Sequence, residues 1–532
     1  MTPNIHTIIQ HHVTLSVSCL DRLLVHGYMP KLQTSGGLCY FLRDHLGHPI
    51  PSPALLRRRH DQWVGAVKQF AADHAVPLVT FKSGQDKDTF VGGYRARGTA
   101  PDGVVLIGVA QEKMRSFKGH KQSGPGTKVG FDFSRQPVLV NHYYFYVQDP
   151  DWGPAFLKIG TYVPYPVKLC LNGHEWVKQQ LTRARVAFES LDNGFLSCAD
   201  PAALQATCDA LGPTAVQAFF DRWSHRVPWP LTPADRAAGY DHRLAIAQLE
   251  VSLTHIFDRP VQGRHFFEAV IRDNLDLGRP DRIRLLFPRR ITRATPPPAY
   301  GYRTRVITDG VNPSLHIDYK HSHLKQYFKE GRGLRSELTI NNPKDFGLLK
   351  GLEQLPALRA LGDRVNRTLL EVERVSHHCT LATDTLDRLQ QPLRLPGQRV
   401  SALRFGDPRV MALLQALCGF AHIPTGFRHR DLRPRVEALL GRPYAAAQMT
   451  YDLRRLRLRA LIERQPGTHA YTITREGLAL AFFYSKLYLR ILRPNWPAVR
   501  PAPDAVPPPL RAALDQLDRA IARIHEEAAL AA

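Results

Sequence analysis

The chain has 532 residues, 44% of them hydrophobic, with a mean hydropathy of −0.27, which is enough apolar material for about two to four folded domains. A net charge of +24 and a pI near 9.9 point to a polyanionic partner, nucleic acid before an acidic membrane surface, and the apolar runs fall short of the ~18 residues a spanning helix needs. The seven cysteines are odd in number, widely spread and without a C-x-x-C, which excludes a disulfide framework and a cysteine zinc site and predicts a cytoplasmic protein in the reducing cytosol.

The opening stretch "MTPNIHTIIQHHVTLSVSCLDRLL" lacks the basic region and long apolar core of a signal peptide. In the first 130 residues "VTLSVS", "PLVTF" and "GVVLIGVA" read as strands, and "ALLRRRHDQWVGAVKQFAADH" has apolar residues at helical spacing. The expected fold class is α+β: an N-terminal α/β domain over 1–130, a central α+β domain over 131–400, a C-terminal domain over 401–495, and a Pro-rich linker with a terminal helix over 496–532. The basic segment "KMRSFKGHKQSGPGTK" reads as an exposed loop.

From Val138 two β-rich runs flank "DPDWGP", which predicts a hairpin. Tyr144, Tyr146, Lys158, Tyr162 and Lys168 interleave aromatics and cations there. Two readings stand: rings stacking on unpaired bases beside a basic groove, or an ordinary sheet interior. "GHEWVKQQLTRARVAF" has a helical pattern, and helices are expected to dominate from 200 to 275. "ATPPPAY" reads as a rigid boundary, and "DRIRLLF", "YRTRVIT", "LHIDYK" and "LRSELTI" as a second set of strands. No H-E-x-x-H and no G-x-x-x-x-G-K-[ST] occurs, which argues against a zincin site and a P-loop.

The densest polar cluster is "SLHIDYKHSHLKQYFKEGRGLRSELTINN". His316, Asp318 and Lys320 alternate on one expected strand; Arg335, Glu337 and Thr339 alternate on the next. Pairing of those strands would bring Asp318 and Glu337 together beside Lys320. Two carboxylates and a lysine could hold magnesium or manganese and assist phosphodiester cleavage, or the strands could grip a phosphate backbone without catalysis. Tyr327 and Lys329 followed by "LRSELT" resemble replication initiators of rolling-circle plasmids and phages, a family in which a tyrosine breaks a DNA strand. The resemblance implies Tyr327 as that tyrosine; "HSH" at 321–323 departs from the family's His-hydrophobic-His metal motif. The first 400 residues otherwise resemble uncharacterised bacterial proteins, which implies a bacterial origin.

Beyond residue 400 the chain is arginine-rich: residues 401–500 hold 17 Lys/Arg against 6 Asp/Glu. "DPRVMALLQALCGFAH", "RDLRPRVEALLG" and "AAAQMTYDLRRLRLRALI" read as three helices, "LIERQPGTHAYTI" as a hairpin, and Thr474 as the N-cap of a last helix. Met449, Leu453, Leu456 and Ala460 are expected on one apolar face. This order over 407–492 resembles the winged-helix transcription regulators. The resemblance implies duplex DNA read by the third helix, with Tyr451, Arg454, Arg455, Arg457, Arg459 and the wing-tip His469 as contacts. The Pro-rich stretch from Arg493 reads as a linker, and the final amphipathic helix would dock on the body or on a second subunit of a homodimer. The leading expectation is a DNA-binding protein, DNA before RNA, from a mobile or replicating element. A metal-dependent nuclease or strand transferase, and a protein gripping RNA or single strands, are the alternatives.

Overall fold

The structure, a computed structural model, describes residues 5–98, 103–122, 130–274, 302–309, 312–377, 388–396, 398–419, 426–488 and 516. Among them, helices and strands form an α+β fold in two units: residues 1–267 with 285–367, and residues 268–284 with 368–532.

In the first unit one sheet takes its strands from almost the whole length of the unit: β1 (Val13–Tyr28), β2 (Leu78–Thr80), β3 (Val104–Lys121), β4 (Phe131–Asp149), β5 (Gly153–Gly160) and β6 (Val167–Asn172). After a separate hairpin of β7 (Phe188–Leu191) and β8 (Gly194–Cys198), it adds β9 (Arg243–Phe257), β10 (Tyr302–Asp309), β11 (Asn312–Tyr319), β12 (Ser322–Lys329) and β13 (Gly333–Ile340). The order is β10-β11-β12-β13-β9-β1-β6-β5-β4-β3-β2, parallel at β2–β3 and antiparallel at the other pairings. The boundary expected near residue 130 therefore falls inside one sheet, because β3 and β4 on its two sides pair from Val104 to Lys121. The same pairing makes a strand of residues 113–121, where the sequence suggested a loop; residues 123–129 lie outside the described residues.

Between 200 and 275 the expected helices are present at Pro201–Ala210, Pro213–Arg226 and Pro260–Asn274, but "RLAIAQLEVSLTHIF" is the interior strand β9. It is flanked on both sides by strands and almost entirely shielded, a setting in which a continuous apolar run suits a strand as well as a helix. On one face the helix Leu355–His377 lies so close to β9 that a Cβ at Gly362 would sit 2.5 Å from Val251. Asn366 of that helix donates to the Val251 carbonyl at 2.8 Å. The opposite face is covered in part by the helices Gly173–Arg183 and Pro201–Ala210, whose Val177, Leu181, Leu204 and Cys208 pack with Leu15, Val17 and Cys19 of β1.

One irregularity positions the site. Leu20 pairs with Val251 and Leu23 with Leu249, so Asp21 and Arg22 together stand opposite Glu250. Such a bulge puts two successive side chains on a face that regular alternation would give to one.

In the second unit the helices Pro408–Cys418, His429–Leu440, Ala446–Leu458 and Arg475–Lys486 enclose an apolar core with a small sheet of β16 (Phe427–Arg428), β18 (Ala470–Ile473) and β17 (Ile462–Arg464). A two-stranded ladder, β14 (Leu393–Leu395) with β15 (Gln398–Val400), precedes them. Met449, Leu453 and Leu456 are buried as their spacing requires, and Thr474 caps the last helix by accepting from the Gly477 N–H at 3.0 Å. Ala460 leaves the apolar face: the helix ends at Leu458 and Ala460 turns exposed into the left-handed region at φ 57°. The strand expected at "DRIRLLF", the boundary "ATPPPAY" and the Pro-rich linker lie outside the described residues, as does the final amphipathic helix except for residue 516. No described helix is long and apolar enough to cross a membrane.

Candidate functional site

Alternate residues of β11, β12, β13 and β9 face one side of the sheet. The register sets His316 against Lys325, Lys325 against Glu337, and Glu337 against Ser252. Because β12 lies between β11 and β13, Asp318 and Glu337 do not meet, contrary to the sequence expectation. Asp318 sits instead against His323, whose Nδ1 is 2.8 Å from its carboxylate. Lys320 is in the β11–β12 turn at φ 51° and donates to the Asp345 carbonyl at 2.9 Å. The "HSH" residues separate as well, with His321 on Asp345 at 3.0 Å and His323 on Asp318.

Glu337 joins two carboxylates that sequence reading missed. One oxygen each of Asp21, Glu250 and Glu337 lies within 4.8 Å of the others. Asp21 arrives through the β1 bulge, Glu250 from β9 and Glu337 from β13. Each of the first two is the lone acid of a strand, "VTLSVSCLDRLLVHGY" and "RLAIAQLEVSLTHIF". An isolated carboxylate in so apolar a strand was the available signal. Tyr327, singled out from the sequence, is here: its hydroxyl donates to Glu337 Oε2 at 3.2 Å. Lys325, two residues before it, holds Nζ 4.1 Å from the centre of the Tyr327 ring.

Arg335 organises the floor of the cluster. It is 1% exposed and donates to Asp21, to the Asn193 carbonyl and, at 3.1 Å, to His174 Nε2; its Nε lies 3.5 Å from Glu337. Asn193, from the turn between β7 and β8, donates to the other Asp21 oxygen. Burial and then the Arg335 charge push His174 down to about 3, so it stays neutral and can accept from Arg335. Burial would raise Asp21, but the Arg335 charge, His174 and the hydrogen bonds from Asn193 and Arg335 together outweigh it and hold the carboxyl below its usual range. Glu250 goes the other way, up to about 7, because burial and the charges of Glu337 and Asp21 outweigh Arg22, whose Nε is 3.9 Å away. Tyr327 is raised by burial and by Glu337, so its hydroxyl keeps its proton at neutral pH.

Three carboxylates therefore cluster on the sheet face with one fully buried guanidinium, Arg335, and the more exposed Arg22, and one of them resists ionisation. The donor set is oxygen only, which suits magnesium or manganese, and a divalent cation would relieve the repulsion that raises Glu250.

The aromatic candidates lie elsewhere on the sheet. Tyr144 and Tyr146 are 6% and 2% exposed, packed with Phe81 and Val91 beneath the helix Lys87–Arg95, so neither offers a ring face to a base. This is the sheet-interior alternative. Lys158 is spent on Glu112, which also accepts from Tyr144 and lies 3.4 Å from Lys87 Nζ. Lys168 is half-buried opposite Lys158. Burial would raise Glu112, but its bonds from Lys158 and Tyr144 and the charges of Lys158 and Lys87 bring it down to about 2. A depressed carboxyl stabilises the fold above its unfolded value and loses that contribution as pH falls through the folded one. Glu112→Gln should therefore cost about 1–3 kcal/mol at pH 7. Thermal melts should show the gap from wild type closing between pH 4.5 and pH 2; a gap that persists unchanged would show that the network is not what holds the site.

In the second unit the helix Ala446–Leu458 exposes Tyr451, Arg454 and Arg457, and His469 is exposed beyond β17, 3.2 Å from Arg464. Arg455 is corrected: it is 6% exposed and turned onto the buried Asp452 at 3.4 Å, which Arg409 also holds at 2.7 Å. The i+3 spacing from Asp452 turns it inward. Arg459 is half-buried and donates to the carbonyls of Arg388, Gln391 and Ser401, so it ties down the chain that precedes the first helix.

No family model and no curated protein matches the chain. Among solved structures it is similar to a rolling circle replication initiator protein from Geobacillus stearothermophilus, at 8% identity, over 66% of this chain and 80% of that one, with a TM-score of 0.20. That TM-score is too low to assign a shared fold.

Proposed function

We propose that the protein is a nucleic-acid strand-cleaving enzyme in which Tyr327 is the nucleophile and Asp21, Glu250 and Glu337 hold a divalent cation. The observation that carries this reading is the convergence of three carboxylates from three strands on one point, with the Tyr327 hydroxyl hydrogen-bonded to one of them. Held by Asp21, Glu250 and Glu337, a divalent cation would supply positive charge to stabilise the reacting phosphate. The rest is done by side chains. Glu337 takes the phenolic proton, as the existing hydrogen bond prepares it to do. The phenolic oxygen forms a bond to phosphorus while one ester P–O bond breaks, leaving a phosphotyrosine and, after protonation of the departing oxygen, a free hydroxyl. Lys325, beside the ring, balances charge that develops on the phosphate. Arg335 fixes Asp21 and Glu337 in place from below.

The second unit favours duplex DNA as the place of action. Four helices and a three-stranded sheet make up this unit, an arrangement that supports a winged-helix reading, and Tyr451, Arg454 and Arg457 are exposed on the helix Ala446–Leu458. Cations there suit the phosphates that flank a major groove. Arg454→Ala with Arg457→Ala should lower the log–log salt slope of duplex binding by about 2, roughly 0.9 per lost phosphate contact. A folded double variant with the wild-type slope would assign this helix to a protein partner.

The test of the whole reading is incubation of end-labelled single-stranded and duplex oligonucleotides with the full chain in magnesium, manganese or EDTA. Cutting in either metal and none in EDTA is expected. Absence of cutting under every condition would leave a binding protein without catalysis.

A further inference from the structure

The basic segment "KMRSFKGHK" folds as part of a ribbon that the strand-cleaving chemistry does not use. β2 pairs with β3 at residues 107–109 only, and β5 reaches β4 no further than His142. Beyond those limits β3 and β4 continue as a two-stranded ribbon in unbroken register, from Gln111 opposite Asn141 to Lys121 opposite Phe131. Regular alternation then places Lys113, Arg115, Phe117, Gly119 and Lys121 on one face. The start of the helix Pro53–Asp73 packs on that face: Leu56 is buried with Phe117 and Phe133, and a Cβ at Gly119 would lie 2.5 Å from Pro53 Cγ. Arg57 and Arg58, about one turn further along the helix, are exposed.

Lys113, Arg115 and Lys121 are exposed as well. Among the described residues none of these five cations has an ion pair or a side-chain hydrogen bond. The acids of the ribbon alternate onto its other face, where Lys158 and Tyr144 bond Glu112 and Gln122 donates to Asp132 at 2.8 Å. Asp61 of the helix is exposed and lies outside ion-pair distance of Arg57 and Arg58. Lysines on an uncovered strand edge serve to block pairing with another chain. That accounts for Lys113 and Lys121 but not for Arg57 and Arg58, which stand on a helix and have no edge to protect. Two elements that bring exposed cations together, with no anion of the protein bonded to them, fit an external polyanion.

We propose that this face is a docking surface for the phosphate backbone of duplex nucleic acid, gripped by Arg57, Arg58, Lys113, Arg115 and Lys121. Eight residues of strand set Lys113 and Lys121 about 27 Å apart, a length over which a duplex carries roughly 16 phosphates. Proteins that hold single strands stack rings on the bases, and the ribbon offers no exposed ring: Phe117 and Phe133 are buried and Phe131 packs with the same cluster. Contact is by backbone charge, so DNA and RNA duplexes share the chemistry. The surface depends neither on the chemistry of Tyr327 nor on the helix Ala446–Leu458.

The test is binding by the full chain measured against salt, with a DNA duplex, an RNA duplex and a single strand side by side. Lys113→Gln with Arg115→Gln should lower the log–log slope by about 1.8, roughly 0.9 per lost contact, on one or both duplexes. Arg57→Gln with Arg58→Gln should do the same from the helix. All four positions are exposed, and melting temperatures check that the variants fold. Lys344→Gln with Arg364→Gln removes the same charge from exposed positions past β13, which four strands separate from β4, and should leave the slope near wild type. A wild-type slope in either of the first two folded pairs, an equal fall in the third, a fall confined to the single strand, or no duplex binding by wild type overturns the surface. Metal-dependent cutting by a protein whose slope those pairs leave unchanged defeats the surface and spares the enzyme. A reduced slope in both pairs without any cutting does the reverse.

Discussion

Tyr327→Phe is expected to abolish metal-dependent strand cleavage, by a factor on the order of 10⁴ or more, while leaving nucleic-acid binding near wild type. The substitution deletes one oxygen and keeps the ring, and with it the contact to Lys325. Its cost to the fold is one hydrogen bond to Glu337, about 1 kcal/mol. Large loss of cutting against small loss of stability separates a nucleophile from a hydrogen-bond donor. If Tyr327 merely braced Glu337, Tyr327→Phe would retain most of the activity, and single-turnover rates with saturating protein would show it.

The second large effect is on stability. Arg335→Met should destabilise metal-free protein by about 3–5 kcal/mol, because it leaves Asp21 buried without its cation. Methionine fills a similar volume, so the cost is electrostatic rather than a cavity. Combining it with Asp21→Asn should recover part of the loss, since the amide carries no charge to strand. Manganese should also recover part of the loss in Arg335→Met alone, if the carboxylates hold a cation. Urea melts in EDTA and in manganese measure all three. A single-variant cost under about 1 kcal/mol would mean that water reaches Asp21 and contradict the electrostatic role given to Arg335.

The legibility of the sequence varied with the range of the interaction. Local patterns held: the helix Pro53–Asp73, the hairpin around Asp149, the Thr474 cap and the apolar face of Met449, Leu453 and Leu456 depend on neighbours a few residues away. Tyr327 and Glu337 were visible because ten residues join them through one hairpin. Asp21 and Glu250 were not, because they reach Glu337 across 316 and 87 residues of chain through strand pairing that no local period records. The bulge that aims Asp21 left one local trace, the adjacent polar pair that breaks the alternation of "CLDRLL", but that break does not say which strand the pair faces. Asp318 misled for the converse reason: it alternates correctly, but β12 enters between its strand and that of Glu337. In the second unit the run of arginines read as one exposed surface, whereas Asp452 withdraws Arg455 into the interior.

The most direct measurement is mass spectrometry of the full chain after incubation with a single-stranded oligonucleotide and manganese. The account predicts a nucleotide covalently attached through phosphate to the peptide that contains Tyr327, absent in EDTA and absent in Tyr327→Phe. Cut strands with no adduct on that peptide, or an adduct on another residue, would contradict it.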